Sequence, residues 1–566
     1  MSSFTLRTQL PRRRERAGRT RRPRHPAVLA ATVVIAAVVI LPVAAIIVIA
    51  LSGTGADWPH LARYVLPQSV ATTLILLALV AFGSSTIGVA CAWLVVAYDF
   101  PMRRVFAWAL VLPLAVPPYL AAYAYGEFFH FVGPVQSAIR AIFGFESPSD
   151  YWFPDVRSTM GAAIVLSSVT FPYVYLTARV VFLMQGRNIA DVARTLGAAP
   201  GRVFRRVLLP VARPAIVAGV ALVLMETVND FGAVQYLGVR TLTLAIYSTW
   251  LNRGSLEGAA QIAVLVLFLV FILLTAEQMA RRKQRFHATR ATQMKARPPR
   301  IPLSGWRAAG AFAVALLPIL AGFGIPLVVF GRYALNRIHQ IAEPALAEAL
   351  LTSIGTALAT AVLAIALALM LLYAARLVRT RTMMVLVRFA TIGYAMPGTI
   401  LALGLLVTLA RFDNFVDGLA RDYAGFSTGL LLTGSAAAVV LACAIRFLAL
   451  AEGAVHAGLE KLPPNLDEAA RSLGRSAPAS ATIVLLPLLK PAILTAGILV
   501  FVDTVKELSA TILLRPFGFN TLATHVYENA SRGAVEEGAM AALLIIATAI
   551  VPVILLSGPL TRDREG

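Results

Sequence analysis

The sequence predicts an all-α, membrane-spanning fold of about twelve helices, laid out as two parallel six-helix repeats. Three observations predict it. First, 58% of the 566 residues are hydrophobic and only 14% charged, with a mean hydropathy of +0.77, whereas a soluble domain keeps about 25% charged residues to face water. Second, Lys and Arg collect in alternate connecting segments and keep that phase along the chain. Third, one polar segment recurs, in the same form, at an offset of 277 residues. The composition excludes a water-soluble enzyme and a disordered chain. It leaves room for ten or more spans of about 20 apolar residues each. The net charge of +22, from 50 Lys+Arg against 28 Asp+Glu, would suggest nucleic acid in a soluble protein. Here the basic residues sit between apolar runs and orient spans, so the expected medium is the lipid bilayer, and no nucleic-acid partner is expected.

Taken in order, residues 1–26 form a basic tail with nine Arg and one acid, Glu15. The apolar run from Ala27 to Leu51 is longer than the about 7–15 residues of a signal-peptide core, which favours an uncleaved first span over a cleaved signal. Further runs at 69–97, 105–126, 160–184, 211–235 and 259–280 complete a first repeat over 27–280. A basic linker over 281–304 follows, acid-free from Arg281 to Arg300. Runs at 308–330, 347–375, 383–410, 428–455, 488–510 and 538–557 make the second repeat within 305–566, with Arg388 interrupting the third of them. Basic segments at the N-terminus, 102–104, 186–206, 281–300, 376–381 and 461–490 alternate with basic-poor ones, which places both termini in the cytoplasm. Cys91 and Cys443 lie inside apolar runs and provide neither a disulfide framework nor a zinc site. The seven His are scattered, without the grouping that a metal site needs.

The recurring segment has a definite shape. Asp191-Val-Ala-Arg194-Thr-Leu-Gly197 aligns with Glu468-Ala-Ala-Arg471-Ser-Leu-Gly474, Leu209-Pro210 with Leu486-Pro487, and Pro214-Ala-Ile216 with Pro491-Ala-Ile493. Each copy reads as a short amphipathic helix, a Gly that permits a sharp exit, a second helical stretch (Arg202–Leu209 in the first copy), and a Pro opening the next span, where its missing N–H costs nothing. An ordinary interfacial loop helix would look similar once. Two copies at one offset point to a surface that meets a cytoplasmic partner.

At these residues the chain resembles the membrane permeases of ABC importers, whose cytoplasmic signature is E-A-A, three residues, G, nine residues, I, one residue, L-P. Glu468, Ala469, Ala470, Gly474, Val484, Leu486 and Pro487 fit it closely. The first copy departs from it, with Asp191-Val192-Ala193 at the start and Val207 in the Ile place. The resemblance implies the type I importer permease fold in the prokaryotic inner membrane. It implies that the loops 186–210 and 461–487 each seat a coupling helix on one of two ATPase subunits. The residues concerned are Asp191, Arg194, Gly197 and Pro210, then Glu468, Ala469, Ala470, Arg471, Gly474 and Pro487. It also implies an external or periplasmic solute-binding protein, and no cofactor on this chain, ATP being bound by the partner. Leu112-Pro-Leu-Ala-Val-Pro-Pro-Tyr119, Glu226-Thr-Val-Asn-Asp230, Gly393-Tyr-Ala-Met-Pro-Gly-Thr399 and Asp503-Thr-Val-Lys-Glu507 look like segments of fused iron(III) permeases. Related fused permeases for thiamine or aminoethylphosphonate remain alternatives.

Glu226 and Asp230 are four apart on one expected span, so both carboxylates face one way, and Asp503 and Glu507 repeat the pattern at the same offset. Counting from Val211, Glu226 falls roughly 22 Å along its span. An acid there must face the bundle interior or water. Two readings stay open: a cation-attracting path of weak sites, or helix-to-helix pairing with a base such as Arg446. Lys506 is expected to point away from Glu507, by about 100° on a helix. Tyr119, Tyr123 and Tyr125 are expected in an aromatic interface belt, with ligation of iron as the other reading.

An ion-coupled secondary transporter would also carry repeats and intramembrane acids, but does not call for the duplicated loop. A membrane enzyme lacks a catalytic cluster at a boundary. A P-loop needs Gly-Lys-Ser/Thr, and none of Lys283, Lys295, Lys461, Lys490 and Lys506 follows a Gly. ATP hydrolysis is therefore expected on a separate subunit.

Overall fold

The computed structural model describes residues 26–561 except 54, 196–199, 283–299, 379, 464, 465, 467–469 and 471. The expectations for the tail, most of the linker, Gly197, Glu468, Ala469 and Arg471 lie outside the described residues, as do the side chains of Asp191 and Arg194.

Among the described residues, eleven helices are long and apolar enough to span a bilayer, and twelve if one sharply bent pair counts as a single crossing. That pair, Arg103–Ala115 and Pro118–Phe128, bends by 93°, so the straight third span expected over 105–126 is corrected to a broken one. The cause is local. Val116 is extended ahead of Pro117 and Pro118, because a residue before proline is driven from the helical region. The second half breaks at the pseudo-equivalent place, with Met396 extended ahead of Pro397. The run expected over 383–410 accordingly becomes an Arg381–Ala390 helix, a short Ile392–Ala395 turn and a Gly398–Ala424 helix.

The spans after each repeated loop also end early. Leu209–Asn229 stops at Asp230, and Leu486–Val505 stops at Lys506. Short helices follow, Leu242–Leu251 and Leu522–Ser531. They are anchored identically. The Leu242 N–H donates to Thr73 Oγ1 at 2.9 Å and the Leu522 N–H to Ser353 Oγ at 2.7 Å. Backbone donors freed by such breaks need partners wherever water is absent.

The first helix of each half packs on the other half. Pro26–Ser52 lies against Arg381–Ala390 and Gly398–Ala424, and the Ile325–Asn336 part of the seventh span lies against Pro118–Phe128 and Ala539–Thr561. Gly404 lets the first crossing close, since a Cβ there would stand 2.4 Å from the Pro42 carbonyl oxygen. The sole sheet among the described residues is a two-residue parallel pair, Tyr98–Asp99 with Ile301–Pro302. It ties the end of the linker to the first half, where the Leu303 N–H also donates to the Asp99 carbonyl at 2.9 Å.

In the repeated loops, the Thr159–Thr195 helix runs continuously through the end of its span, so Asp191–Thr195 continues that helix instead of forming a separate short one. In the second copy Gly474 has φ +80°, and the Arg475 N–H donates back to the Ala470 carbonyl at 3.1 Å. That is the exit a Gly at a helix C-terminus permits. Pro210 and Pro487 do not open their spans as expected: single helices run from Gly201 to Asn229 and from Ala481 to Val505, and each proline follows a π-helical turn, Phe204–Leu208 or Ala481–Leu485, inside its helix, where the wider turn accommodates the missing N–H.

Candidate functional site

A cavity of ≈ 90 Å³ lies where the helix breaks of the two halves meet, and all four expected acids line it. They converge by a different route from the one expected. Asp230 and Glu507 are not on the helices of Glu226 and Asp503, because each helix ends before its second acid. The chain bends there, and the bend points the second acid into the protein.

The second acids close the breaks. The N–H groups of Ala233 and Val234 donate to Asp230 Oδ2 at 3.1 and 3.2 Å. The Ala510 N–H, pseudo-equivalent to that of Ala233, donates to Glu507 Oε1 at 2.8 Å. A carboxylate accepting N–H bonds at a helix start is a charge-assisted cap. Asp230 and Glu507 are both buried, whereas Glu226 is partly accessible.

The cations in the cavity belong to the second half alone. Arg446 Nη1 donates to Glu507 Oε2 at 2.5 Å, and Lys506 Nζ lies 2.6 Å from Asp503 Oδ1. Lys506 thus turns away from Glu507, as expected, and pairs one helical turn back. At the offset of 277, the first half has Val169 in place of Arg446 and Asn229 in place of Lys506, and both line the same cavity. Arg446 and Lys506 reach Glu226 only across the boundary between the halves, where both act on it electrostatically. The lining therefore holds four carboxylates and two cations, a formal excess of negative charge contributed by the first half.

The tyrosines are corrected outright. Tyr119, Tyr123 and Tyr125 are buried in the bundle core, not set at an interface. Tyr119 lines the cavity, and its hydroxyl is buried without a hydrogen-bond partner. Tyr123 packs edge-on against Tyr119 and Tyr236, and the Tyr125 hydroxyl donates to the Ala321 carbonyl at 3.1 Å. Tyr173 and Tyr394 complete the lining and were not singled out by sequence. Tyr394 lies inside the Gly393–Thr399 segment, so that segment held a signal. Tyr173 had only the neighbouring Pro172 to mark it. Among the described residues no three His, Cys, Asp or Glu side chains group as metal ligands.

At the cavity and beyond it the two halves are joined by hydrogen bonds. Ser509 Oγ donates to the Asn229 carbonyl at 3.4 Å, Tyr527 Oη to Gln235 Oε1 at 2.8 Å, and Tyr333 Oη to Glu127 Oε2 at 2.7 Å. Tyr527, Gln235 and Tyr236 line a second space of ≈ 330 Å³, and Gly232 lines both it and the charged cavity. No side chain fits at Gly232, where a Cβ would lie 2.7 Å from Tyr119 Cβ.

Residues 364–562 match the model of the binding-protein-dependent transport system inner membrane component. Over 510 residues the chain is 24% identical to a Fe(3+)-transport system permease protein of Haemophilus influenzae, covering 86% of this chain and 89% of that one. Shorter relatives align with one part of the chain. The molybdenum transport system permease protein of Escherichia coli is 28% identical over 38% of this chain and 93% of its own length. The sulfate transport system permease protein CysW of the same species is 29% identical over 35% and 68%.

Proposed function

Taking the chain as the fused permease of a binding-protein-dependent ABC importer, which the matched second half and the full-length similarity support, we propose that it passes ferric iron across the inner membrane. An external or periplasmic binding protein delivers the cargo, and two separate ATPase subunits drive the cycle. Each ATPase seats on one repeated segment, 186–210 or 461–487. The exposed Leu473 beside the Gly474 turn offers an apolar contact for such a subunit. Both chain termini lie on that cytoplasmic side.

The observation that carries the cargo reading is the lining of the cavity, four carboxylates against two cations that are already paired. Glu226 attracts the cation, Asp503 is paired with Lys506, and Asp230 and Glu507 hold the breaks that give the cavity its shape. Hard cations take oxygen ligands, and a conducting path works through weak sites that release what they bind. Sulfate, named for one of the shorter relatives, is an oxyanion that this lining would repel. Thiamine, itself cationic, is the second cargo the same charge accommodates.

Uptake of radiolabelled ferric iron, molybdate, sulfate and thiamine by cells with and without the gene tests the reading. Loss of iron uptake alone is expected on deletion. Loss of an oxyanion, with iron uptake intact, would overturn the cation path. Loss of thiamine alone would move the cargo while leaving that path in place.

A further inference from the structure

Three spaces follow one another through shared lining residues. The largest, of ≈ 720 Å³, lies against the 126–157 segment of the first half, with Glu127, Trp152 and Asp155 in its lining. Arg157, Tyr236 and Gly533 line both it and the middle space of ≈ 330 Å³. Gly232 in turn joins the middle space to the charged cavity. The junction of the first two spaces is a neck of packed side chains. The Arg157 guanidinium lies 4.9 Å from the centroid of the Tyr236 ring, and Tyr123 meets that ring edge-on at 4.7 Å. Gly126 leaves room for the ring, since a Cβ there would stand 2.5 Å from Tyr236 Oη. The second half does not repeat the Arg157–Tyr236 pair. Thr159 and Ala436 open equivalent helices 277 residues apart, and Leu242 and Leu522 open a pair 280 apart. At those offsets Gly434 stands for Arg157 and Pro516 for Tyr236.

We propose that cargo enters from one side, through the first half, and that Arg157 and Tyr236 form the neck that admits it to the charged cavity. The largest space is then an entry vestibule. The middle one is a passage beside the Tyr527–Gln235 contact between the halves. Arg157 is built to move. Its backbone is pinned, the N–H donating to Asp155 Oδ1 at 2.8 Å. Its side chain is exposed and rests on the Tyr236 ring by a cation–π contact, which is weak where water reaches it. Closed, the guanidinium sets a positive charge in the passage, and an Arg in a pore is an electrostatic barrier to cations. Swung away, it leaves the acidic cavity as the dominant charge ahead of an entering cation. The selectivity of the neck rests on the cation reading of that cavity, and its direction on the 126–157 segment facing outward. The route itself rests on the shared lining.

The test places a thiol in the charged cavity of the full chain, in right-side-out membrane vesicles. The variant is Ser509→Cys, with the buried Cys91 and Cys443 replaced by Ala. Two methanethiosulfonate reagents that do not cross the bilayer are added outside, one cationic (trimethylammonium-ethyl) and one anionic (sulfonatoethyl). The thiol should react slowly behind the closed neck. Tyr236→Ala should speed the cationic reagent several-fold, and so should Arg157→Gln, which changes an exposed side chain and leaves the core intact. Ala530→Trp, or Ser531→Trp should the first fail to insert, fills the middle space and should remove that gain. No gain in either neck variant, or fast reaction with the neck intact, would overturn the neck. A gain that survives the filled space would overturn the one-sided route. An equal gain for both reagents, abolished by the filled space, would support the route and count against the cation reading of the cavity.

Discussion

Glu507 meets two demands at once, accepting the Arg446 guanidinium on one oxygen and the Ala510 N–H on the other. Removing Arg446 leaves that carboxylate buried without its counter-charge, a change that costs about 3–5 kcal/mol. Arg446→Met should therefore lower the thermal unfolding temperature of the purified chain, and Glu507→Gln added to it should recover part of the loss. Glu226 is different, because it faces the cavity and caps no break. Glu226→Gln should lower uptake while abundance and unfolding temperature stay at wild-type values. Uptake and abundance measured on the same membranes separate the two roles, and normal uptake in Glu226→Gln would remove the cation path. The pairing of Arg446 with Glu507 could be anticipated because a base on the tenth span needs an acid. The division of labour between Glu226 and Asp230 could not, since it depends on where the helix ends.

The Gly474 turn is held by a backbone φ of +80° and the Arg475-to-Ala470 bond. A β-branched residue there is strained by roughly 1–2 kcal/mol and re-aims the exit of the 461–487 segment. Gly474→Val should let the assembled complex hydrolyse ATP while transport falls, read as the ratio of the two rates in proteoliposomes. An unchanged ratio would contradict the coupling role. The Gly474 exit was legible because a helix that ends in a left-handed turn favours Gly there. The 93° break at Val116–Pro118 was hidden, although Pro117 and Pro118 were in view. Prolines are common in membrane helices, and a kink and a sharp break have the same apolar composition. The same ambiguity concealed the break at Pro397.

The offset of 277 was readable from motif spacing between Asp191 and Asp230, while elsewhere the equivalent residues lie 280 apart, as Leu242 and Leu522 do; the order of spans was readable from hydropathy. The exchange of first helices between halves was not, because every face of a span is apolar and the sequence does not say which neighbour it meets. Gly404 is where that exchange can be tested. Gly404→Leu drives a side chain into the Pro42 carbonyl and should unseat Pro26–Ser52, seen as reduced membrane abundance and an earlier unfolding transition. A wild-type profile would show that the crossing tolerates a side chain there. The exchange binds the halves into one body around the charged cavity, and it fits a chain that supplies both sides of a transport pathway by itself. Native mass spectrometry of the complex purified through this chain measures that directly. One copy of the chain with two ATPase subunits is the expected composition, and two copies of the chain with two ATPases would contradict it.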